Sequence, residues 1–98
     1  MSDFRRMLQT VRVRLMRRRR AAYRELFGTG GNMTPAQRTA LADLKRFCHA
    51  EYPTFDADPR VHALREGRRE VWLRIHQFIN LTDSQIADIK EDIEDDFG

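Results

Sequence analysis

The chain has 98 residues, of which 41% are hydrophobic and 34% are charged, and its formal net charge is +3. This length fits one small domain with a thin core, so contacts with partners or other copies are expected to matter for its stability. The single cysteine, Cys48, excludes an internal disulfide. No stretch approaches the roughly eighteen uninterrupted apolar residues of a membrane-spanning helix, so no membrane span is expected.

The charges are sorted along the chain. Residues 1–27 carry nine arginines against two acids, a balance of +7, whereas residues 82–98 carry seven acids against one lysine, a balance of −6. The segment between them is close to neutral, with eight bases and six acids. Opposite fields at the two ends govern partner choice and association rate rather than fold. The pattern therefore predicts a protein that docks onto something charged.

The first predicted helix occupies residues 1–27 and is rich in arginine. Its apolar residues recur three, four or seven positions apart, at Phe4, Leu8, Val11, Leu15, Ala22 and Leu26. The glycine-rich run from Gly28 to Gly31 ends the helix. Arg17 to Arg20 occupy a complete helical turn, which cannot be buried in apolar protein on every side. We expect this helix to project from a compact helical domain of residues 28–98, or to lie on a polyanion.

Two further helices have recognisable N-termini. Thr34 followed by Pro35 predicts a helix that ends before Pro53. Its apolar face consists of Leu41, Leu44, Phe47 and Cys48. Asp58 followed by Pro59 repeats the signal and predicts a longer helix. The apolar stripe of that helix consists of Val61, Leu64, Val71, Ile75 and Phe78, broadened by Trp72 and Ile79.

Two details between and within these helices carry expectations about packing. The connector contains Tyr52 and Phe55, and aromatic side chains in so short a link are expected to pack into the core rather than to form a recognition surface. Gly67 lies inside the third helix, where glycine is about 1 kcal/mol less favourable than alanine. A close approach of a neighbouring helix would explain its presence there.

The last helix is predicted to be amphipathic and acidic. Residues 82–85, Thr-Asp-Ser-Gln, fit a capping box. An apolar stripe follows at Ile86, Ile89, Ile93 and Phe97. No strand-like alternation and no internal repeat occur in the sequence. The predicted fold is all-α: a small bundle of about four helices, with a long Arg-rich N-terminal helix and an acidic amphipathic C-terminal helix.

The sequence offers little for catalysis. His49, His62 and His76 fall on different predicted elements, and no paired histidines or cysteines have the spacing of metal ligands. The glycine run at residues 28–31 lacks the lysine of a phosphate-binding loop and the strand that precedes a dinucleotide fingerprint. We therefore expect no metal, no cofactor and no enzymatic activity.

Binding is the better-supported class of function. The candidate residues are seven arginines of the first helix, namely Arg12, Arg14, Arg17, Arg18, Arg19, Arg20 and Arg24. Arginine pairs bidentately with phosphate, and counterion release drives sequence-independent association with nucleic acid. Apart from Tyr23 the patch lacks aromatic residues, so base stacking is not expected. An acidic protein surface, or the acidic last helix of a second copy, fits the same residues, and the sequence leaves these alternatives open.

Two other interpretations of the N-terminal segment follow from its arginines. An Arg-rich, acid-poor amphipathic segment is typical of mitochondrial transit peptides, although Asp3 and the block of four arginines weigh against this. An amphipathic helix on a membrane surface would require anionic lipid and apolar anchoring together.

Four ordered blocks of sequence resemble a family of small proteins of tailed bacteriophages, of the type found in a Bordetella podovirus. The blocks lie at residues 23–29, 41–50, 54–60 and 66–75, and the most particular motif is Gly-Arg-Arg-Glu-Val-Trp at residues 67–72. The resemblance extends over about two thirds of the chain, from Arg19 to Ile86. Both charged ends lie largely outside it.

The resemblance implies a small virion-associated protein without known enzymatic chemistry. It would be a structural part near the portal and tail, or an internal protein released with the genome, and it would reside in the virion and in the host cytoplasm during assembly. Its partners would be the portal, an adaptor or the capsid, with packaged DNA or a second copy as further candidates. Glu66, Arg68, Arg69 and Trp72 then become candidate contacts with a protein partner. The alternative for these four is a salt-bridged outer face with Trp72 in the core.

Overall fold

The computed structural model describes residues 2–88 of the chain, and within them it is a bundle of four helices. Helix α1 spans Ser2–Phe27, α2 spans Pro35–Phe47 and α3 spans Pro59–Ile79, while residues 83–88 form α4. The described residues contain no strand, and the predicted all-α fold is confirmed. The later positions of the predicted acidic helix, including Ile89, Ile93 and Phe97, lie outside the described residues.

The helices begin where the capping signals predict. Thr34 Oγ1 accepts the backbone N–H of Gln37 at 3.1 Å, and Gln37 Oε1 accepts the N–H of Thr34 at 2.8 Å. Thr82 and Gln85 form a second capping box, with distances of 3.2 and 2.9 Å. Asp58 caps α3 by accepting a backbone N–H of the first turn at 2.9 Å. These caps satisfy donors that a helix leaves free at its N-terminus, so the three predicted starts are confirmed.

Helix α1 ends at the predicted glycine, which also fixes the position of α2. Gly28 has a φ of +80°, and its N–H donates to the carbonyl oxygen of Arg24 at 2.8 Å. A Cβ atom at this position would lie 2.7 Å from Gln37 Oε1. The amide of Gln37 in turn donates to the carbonyl oxygen of Glu25 at 3.0 Å. The turn therefore needs a residue without a side chain, because the start of α2 lies against the end of α1.

The core consists of two small clusters that share Tyr23. The first contains Leu41, Ile75 and Ile79, with partly buried neighbours Tyr23, Phe27, Met33, Leu44 and Trp72. The second contains Phe78, Leu81 and Ile86, with partly buried neighbours Val13, Met16 and Tyr23. The rings of Tyr23 and Phe78 stack with their centroids 5.0 Å apart. Gln9 is buried on the same side, so α1 is part of the packed bundle from that residue onward and runs antiparallel to α3.

The described part of the chain is extended and flat. Its radius of gyration is 17.1 Å and its principal extents are 48 × 37 × 16 Å. A compact domain of this length would have a radius of gyration of about 12 Å. The difference arises because α1 alone is about 39 Å long at the usual helical rise. A flat shape of this kind leaves much of each helix without a neighbour.

Several predicted core residues lie on the surface. Tyr52 and Phe55 are 61% and 75% exposed, so the expectation that they pack into the core is wrong. Their connector runs over the surface, and Thr54 between them is buried instead. Leu64 and Val71 of the predicted α3 stripe are also exposed. The part of α3 that contains Leu64 and Val71 lies beyond the end of α1. The last residue of α1, Phe27, packs against the core cluster that contains Ile75.

Gly67 does not mark a close contact between helices. Apart from Gly67, its neighbours in the chain and the adjacent backbone of α3, no described heavy atom lies within 4 Å of the position that a Cβ atom of Gly67 would occupy. The expected approach of a neighbouring helix is therefore wrong. Nothing in the described packing requires glycine at this point of α3.

Candidate functional site

The predicted basic patch is distributed around α1 rather than gathered on one face. Successive residues of a helix are about 100° apart, so the four arginines from Arg17 to Arg20 point in four directions. Five of the seven candidate side chains are exposed, and two are half-buried. The exposed ones are Arg12, Arg14, Arg17, Arg18 and Arg19, and the half-buried ones are Arg20 and Arg24.

Arg20 and Arg24 point inward and bind the junction between α3 and α4. Arg24 donates through Nε to the carbonyl oxygen of Ile79 at 3.0 Å and through Nη2 to that of Leu81 at 3.1 Å. Arg20 Nη1 donates to the same Leu81 oxygen at 3.2 Å and lies 2.9 Å from Asp83 Oδ1. Carbonyl groups at a helix C-terminus lack partners within the helix and carry partial negative charge, which suits arginine donors. These two arginines therefore have partners within the chain.

Arg14 and Arg17 line a cleft between α1 and α4. Arg6, which the sequence analysis did not single out, lines the same cleft, and its floor includes Val13 and Ile86. The signal in the sequence is helical spacing, because Arg6 precedes Arg17 by about three turns and lies on nearly the same side of the helix. Asp83 also lines the cleft, and its carboxylate pairs with Arg20. The three guanidinium groups exceed this one acid and can bind a phosphate or a carboxylate-rich segment.

The remaining candidates lie on the other sides of α1. Arg12 and Arg19 are seven positions apart and share one side with Arg5, a second arginine that the sequence analysis did not single out. Arg18 follows Val11 by seven positions and lies on the outward side. The structure therefore brings Arg14 together with Arg17, and Arg20 with Arg24. It separates both pairs from Arg12 and Arg19. Arg18 lies one turn from Arg14 and about 40° around the helix from it.

On α3, two of the four candidate contacts hold neighbouring segments of the chain. Glu66 accepts a hydrogen bond from the hydroxyl of the buried Thr54 and so anchors the connector that precedes α3. The guanidinium carbon of Arg68 lies 4.3 Å from the centroid of the Phe47 ring at the end of α2. A cation over an aromatic face at this distance is attractive. Both side chains thus contribute to the arrangement of the helices.

Trp72 is half-buried and packs against the first core cluster, and Arg69 is half-buried as well. The centroids of the Trp72 and His76 rings are 4.2 Å apart. Burial, followed by the positive charge of Lys45, lowers the pKa of His76 below its ordinary value. His76 is therefore mainly neutral at neutral pH and suits the apolar contact with Trp72.

Two further observations concern residues 2–88. No three His, Cys, Asp or Glu side chains in this range are grouped so that they could hold a metal ion. None of the helices in the same range has the length and apolar content needed to cross a membrane.

Fold and surface together define a small all-α protein with a basic N-terminal helix. The family model of Bbp19-like phage proteins matches residues 23–91, which is more than half of the chain. The chain therefore belongs to the family of Bbp19-like phage proteins, and the resemblance to a family of phage proteins is confirmed. The match begins after the arginine block of residues 17–20. Comparison with curated proteins and with solved structures finds no match.

Proposed function

We propose that this phage protein is a non-enzymatic component of the virion that attaches to other virion proteins through its helical surfaces. The attachment site would lie near the portal and tail or on the inside of the capsid, and assembly would take place in the host cytoplasm. Membership of a phage family supports a phage partner. The physical argument for attachment comes from the surface of the bundle.

The observation that carries the proposal is the imbalance between buried and exposed apolar residues. Within residues 3–88, seven apolar residues are buried, whereas eleven large ones are more than 40% exposed. Single exposed apolar side chains are ordinary on a protein surface, but contiguous ones indicate an interface. Four of the eleven lie on the N-terminal half of α1, close together along one side. A protein that works attached to others can carry such a surface.

The exposed arginines supply the second argument. Arg12, Arg14, Arg17, Arg18 and Arg19 surround α1 with positive charge. Charge of one sign on an interface accelerates encounter with an oppositely charged partner and rejects other partners. An acidic surface on a virion protein therefore fits α1 better than a neutral one.

The proposal is tested by mass spectrometry of purified particles. We expect the protein to be present in virions at a fixed ratio to a known capsid protein after washing in high salt. A phage protein made only in the infected cell serves as the control for contamination and should be absent. Particles from which this protein is missing, although it is abundant in the lysate, would overturn the proposal.

The cleft between α1 and α4 favours a second candidate function, binding of the DNA phosphate backbone in the infected cell. Its three arginines, Arg6, Arg14 and Arg17, provide cations at one place rather than scattered around the helix. Each phosphate contact adds about 0.9 to the slope of log affinity against log salt concentration. DNA binding would therefore weaken steeply as salt rises.

This second candidate is tested with a labelled DNA duplex and a salt titration. Arg14→Ala combined with Arg17→Ala should lower the slope by about 2. The matched control combines Arg38→Ala with Arg60→Ala, which removes two exposed arginines from α2 and α3. Absence of binding at low salt, or equal slopes for the two double variants, would end this candidate.

A further inference from the structure

Helix α1 has two apolar faces, and the described part of the bundle covers only one of them. Val13, Met16, Tyr23 and Phe27 pack against the two core clusters. Phe4, Met7, Val11 and Leu15 are 53%, 53%, 48% and 41% exposed. At about 100° per residue, the second group is centred about 150° from the first around the helix axis. We call Phe4, Met7, Val11 and Leu15, together with the half-buried Leu8, the outward stripe.

From this arrangement we propose that the outward stripe is the docking site for an amphipathic helix with acidic borders, supplied by another protein of the phage particle. This inference rests on the proposed function and deepens it, because it names the surface of attachment and the chemistry of the partner. It is argued from the spacing of the stripe, from the charges beside it and from what a second copy would place there.

The spacing of the stripe fits a helix as its partner. Phe4, Leu8, Val11 and Leu15 alternate steps of four and three residues, which is the repeat of a coiled-coil seam. A partner helix with the same repeat can insert its apolar side chains between them. The stripe is only about three turns long and Arg18 occupies its next position, so it is short for stable insertion into a lipid surface.

The charges beside the stripe specify acidic borders on that partner. Arg5, Arg12 and Arg19 follow one side at intervals of seven residues, and Arg14 lies on the other side. Asp3 is the only acid among residues 2–24. Residues that flank a coiled-coil seam select partners by charge. A helix with glutamate or aspartate at its borders is therefore attracted, and a basic one is repelled.

The outward stripe of a second copy does not satisfy the same surface. Antiparallel pairing of two outward stripes, with Leu8 facing Val11, brings Arg5 of one copy beside Arg12 of the other. Parallel pairing brings Arg14 beside Arg19. Like charges at these positions oppose association. The described helix α4 does not cover the stripe either, because Ile86 packs on the opposite side of α1, beside Val13 and Met16.

The test uses the full chain and a labelled synthetic peptide of about three heptads, with leucine along its seam and glutamate at its borders. Binding is followed by fluorescence anisotropy. Leu15→Ser should weaken binding by about tenfold or more, as expected for loss of a large apolar contact in the seam. Arg12→Glu should weaken it as well, and should strengthen binding of an otherwise identical peptide with lysine borders. Leu64→Ser and Arg60→Glu are the matched controls on the exposed surface of α3. They should leave the affinity for the glutamate peptide and the affinity for the lysine peptide unchanged.

Three results would overturn the inference. The first is equal binding of the glutamate and lysine peptides, or an affinity of Leu15→Ser for the glutamate peptide that equals the wild-type affinity. The second is self-association of the wild type that Leu15→Ser abolishes, because the occupant would then be a second copy. The third is flotation with vesicles of phosphatidylcholine and phosphatidylserine that Leu15→Ser abolishes, because the occupant would then be lipid. Equal melting temperatures of the variants and the wild type would show that each variant is folded.

A complementation experiment separates this inference from the proposed function. A phage lacking the protein is supplied with the wild type or with Leu15→Ser, and the particles are analysed by mass spectrometry. If the wild type enters particles and the variant does not, the docking inference and the virion role are both supported. If both enter equally, the docking inference fails while the virion role stands. If neither enters, the proposed function fails.

Discussion

Arg24 donates through Nε to the carbonyl oxygen of Ile79, the last residue of α3, at 3.0 Å. The two residues are 55 positions apart in sequence, and their hydrogen bond connects α1 with the end of α3. It places a positive charge at the negative end of the α3 dipole, where a cation is favoured. An arginine that belongs by sequence to the basic patch thus helps to hold α1 against α3.

Arg24→Ala should lower the free energy of unfolding by about 2 kcal/mol, because two carbonyl groups lose a charged donor. Arg18→Ala is the matched control, since it removes an exposed arginine from the same helix and should change stability by less than about 0.5 kcal/mol. Urea unfolding followed by circular dichroism measures both. Equal effects of the two substitutions would mean that the Arg24 contacts do not stabilise the fold.

Gly67→Ala should stabilise the protein by about 1 kcal/mol, because an exposed mid-helix glycine is replaced by a better helix former and no described atom obstructs the new methyl group. For a domain of this size the melting temperature should rise by roughly 4–8 °C. Gly28→Ala is the contrasting variant, since its φ of +80° and the nearby Gln37 make a side chain unfavourable. Thermal melts that move both variants in the same direction would contradict this interpretation.

The stability of the protein should fall as the pH drops below about 6.5. The pKa of His76 is lower in the folded protein than in the unfolded chain, mainly through burial and secondarily through Lys45. Between those two pKa values the unfolded chain binds more protons, so the free energy of unfolding decreases toward acid pH.

This pH dependence is measured as the difference in unfolding free energy between the wild type and His76→Gln across the range from neutral to mildly acidic pH. The other two histidines are present in both proteins, so their contributions cancel in the comparison. We expect the wild type to lose more stability than the variant. If the unfolding free energies of the two proteins change with pH in parallel, His76 has the same pKa in the folded and unfolded states.

Trp72→Ala should destabilise the protein by about 2 kcal/mol, somewhat less than the loss of a fully buried tryptophan, because Trp72 is half-buried against the first core cluster. Leu73→Ala, at the exposed neighbouring position, is the control and should have little effect. Chemical unfolding measures both variants. A Trp72→Ala protein of unchanged stability that no longer enters particles would instead identify Trp72 as a partner contact.

Local signals made much of the fold predictable. The starts of α2, α3 and α4 are set by Thr34, Asp58 and Thr82, each of which bonds a backbone group two or three residues away. Such bonds form within one turn, so the residues that make them are close in sequence. The end of α1 at Gly28 is local for the same reason, because it depends on the backbone conformation of one residue.

The candidate site was predictable only in part. The composition of α1 identified a cationic helix, but the exposed Arg18 and the inward Arg20 look alike in sequence and differ only through what lies opposite them. Arg20 and Arg24 meet Ile79, Leu81 and Asp83, which are more than fifty residues away. The spacing of apolar residues likewise could not show that Val13 and Met16 face the core while Val11 and Leu15 face outward.

The pattern of residues fixed the helical class, the helix starts and the opposite charges of the two ends, because each depends on composition or on neighbours within a turn. Packing at long range decided the orientation of α1, since both of its sides carry apolar residues and only the side that meets Phe78 and Ile86 is buried. Among the described residues, that choice left the other side of α1 uncovered, and this side is the proposed attachment surface.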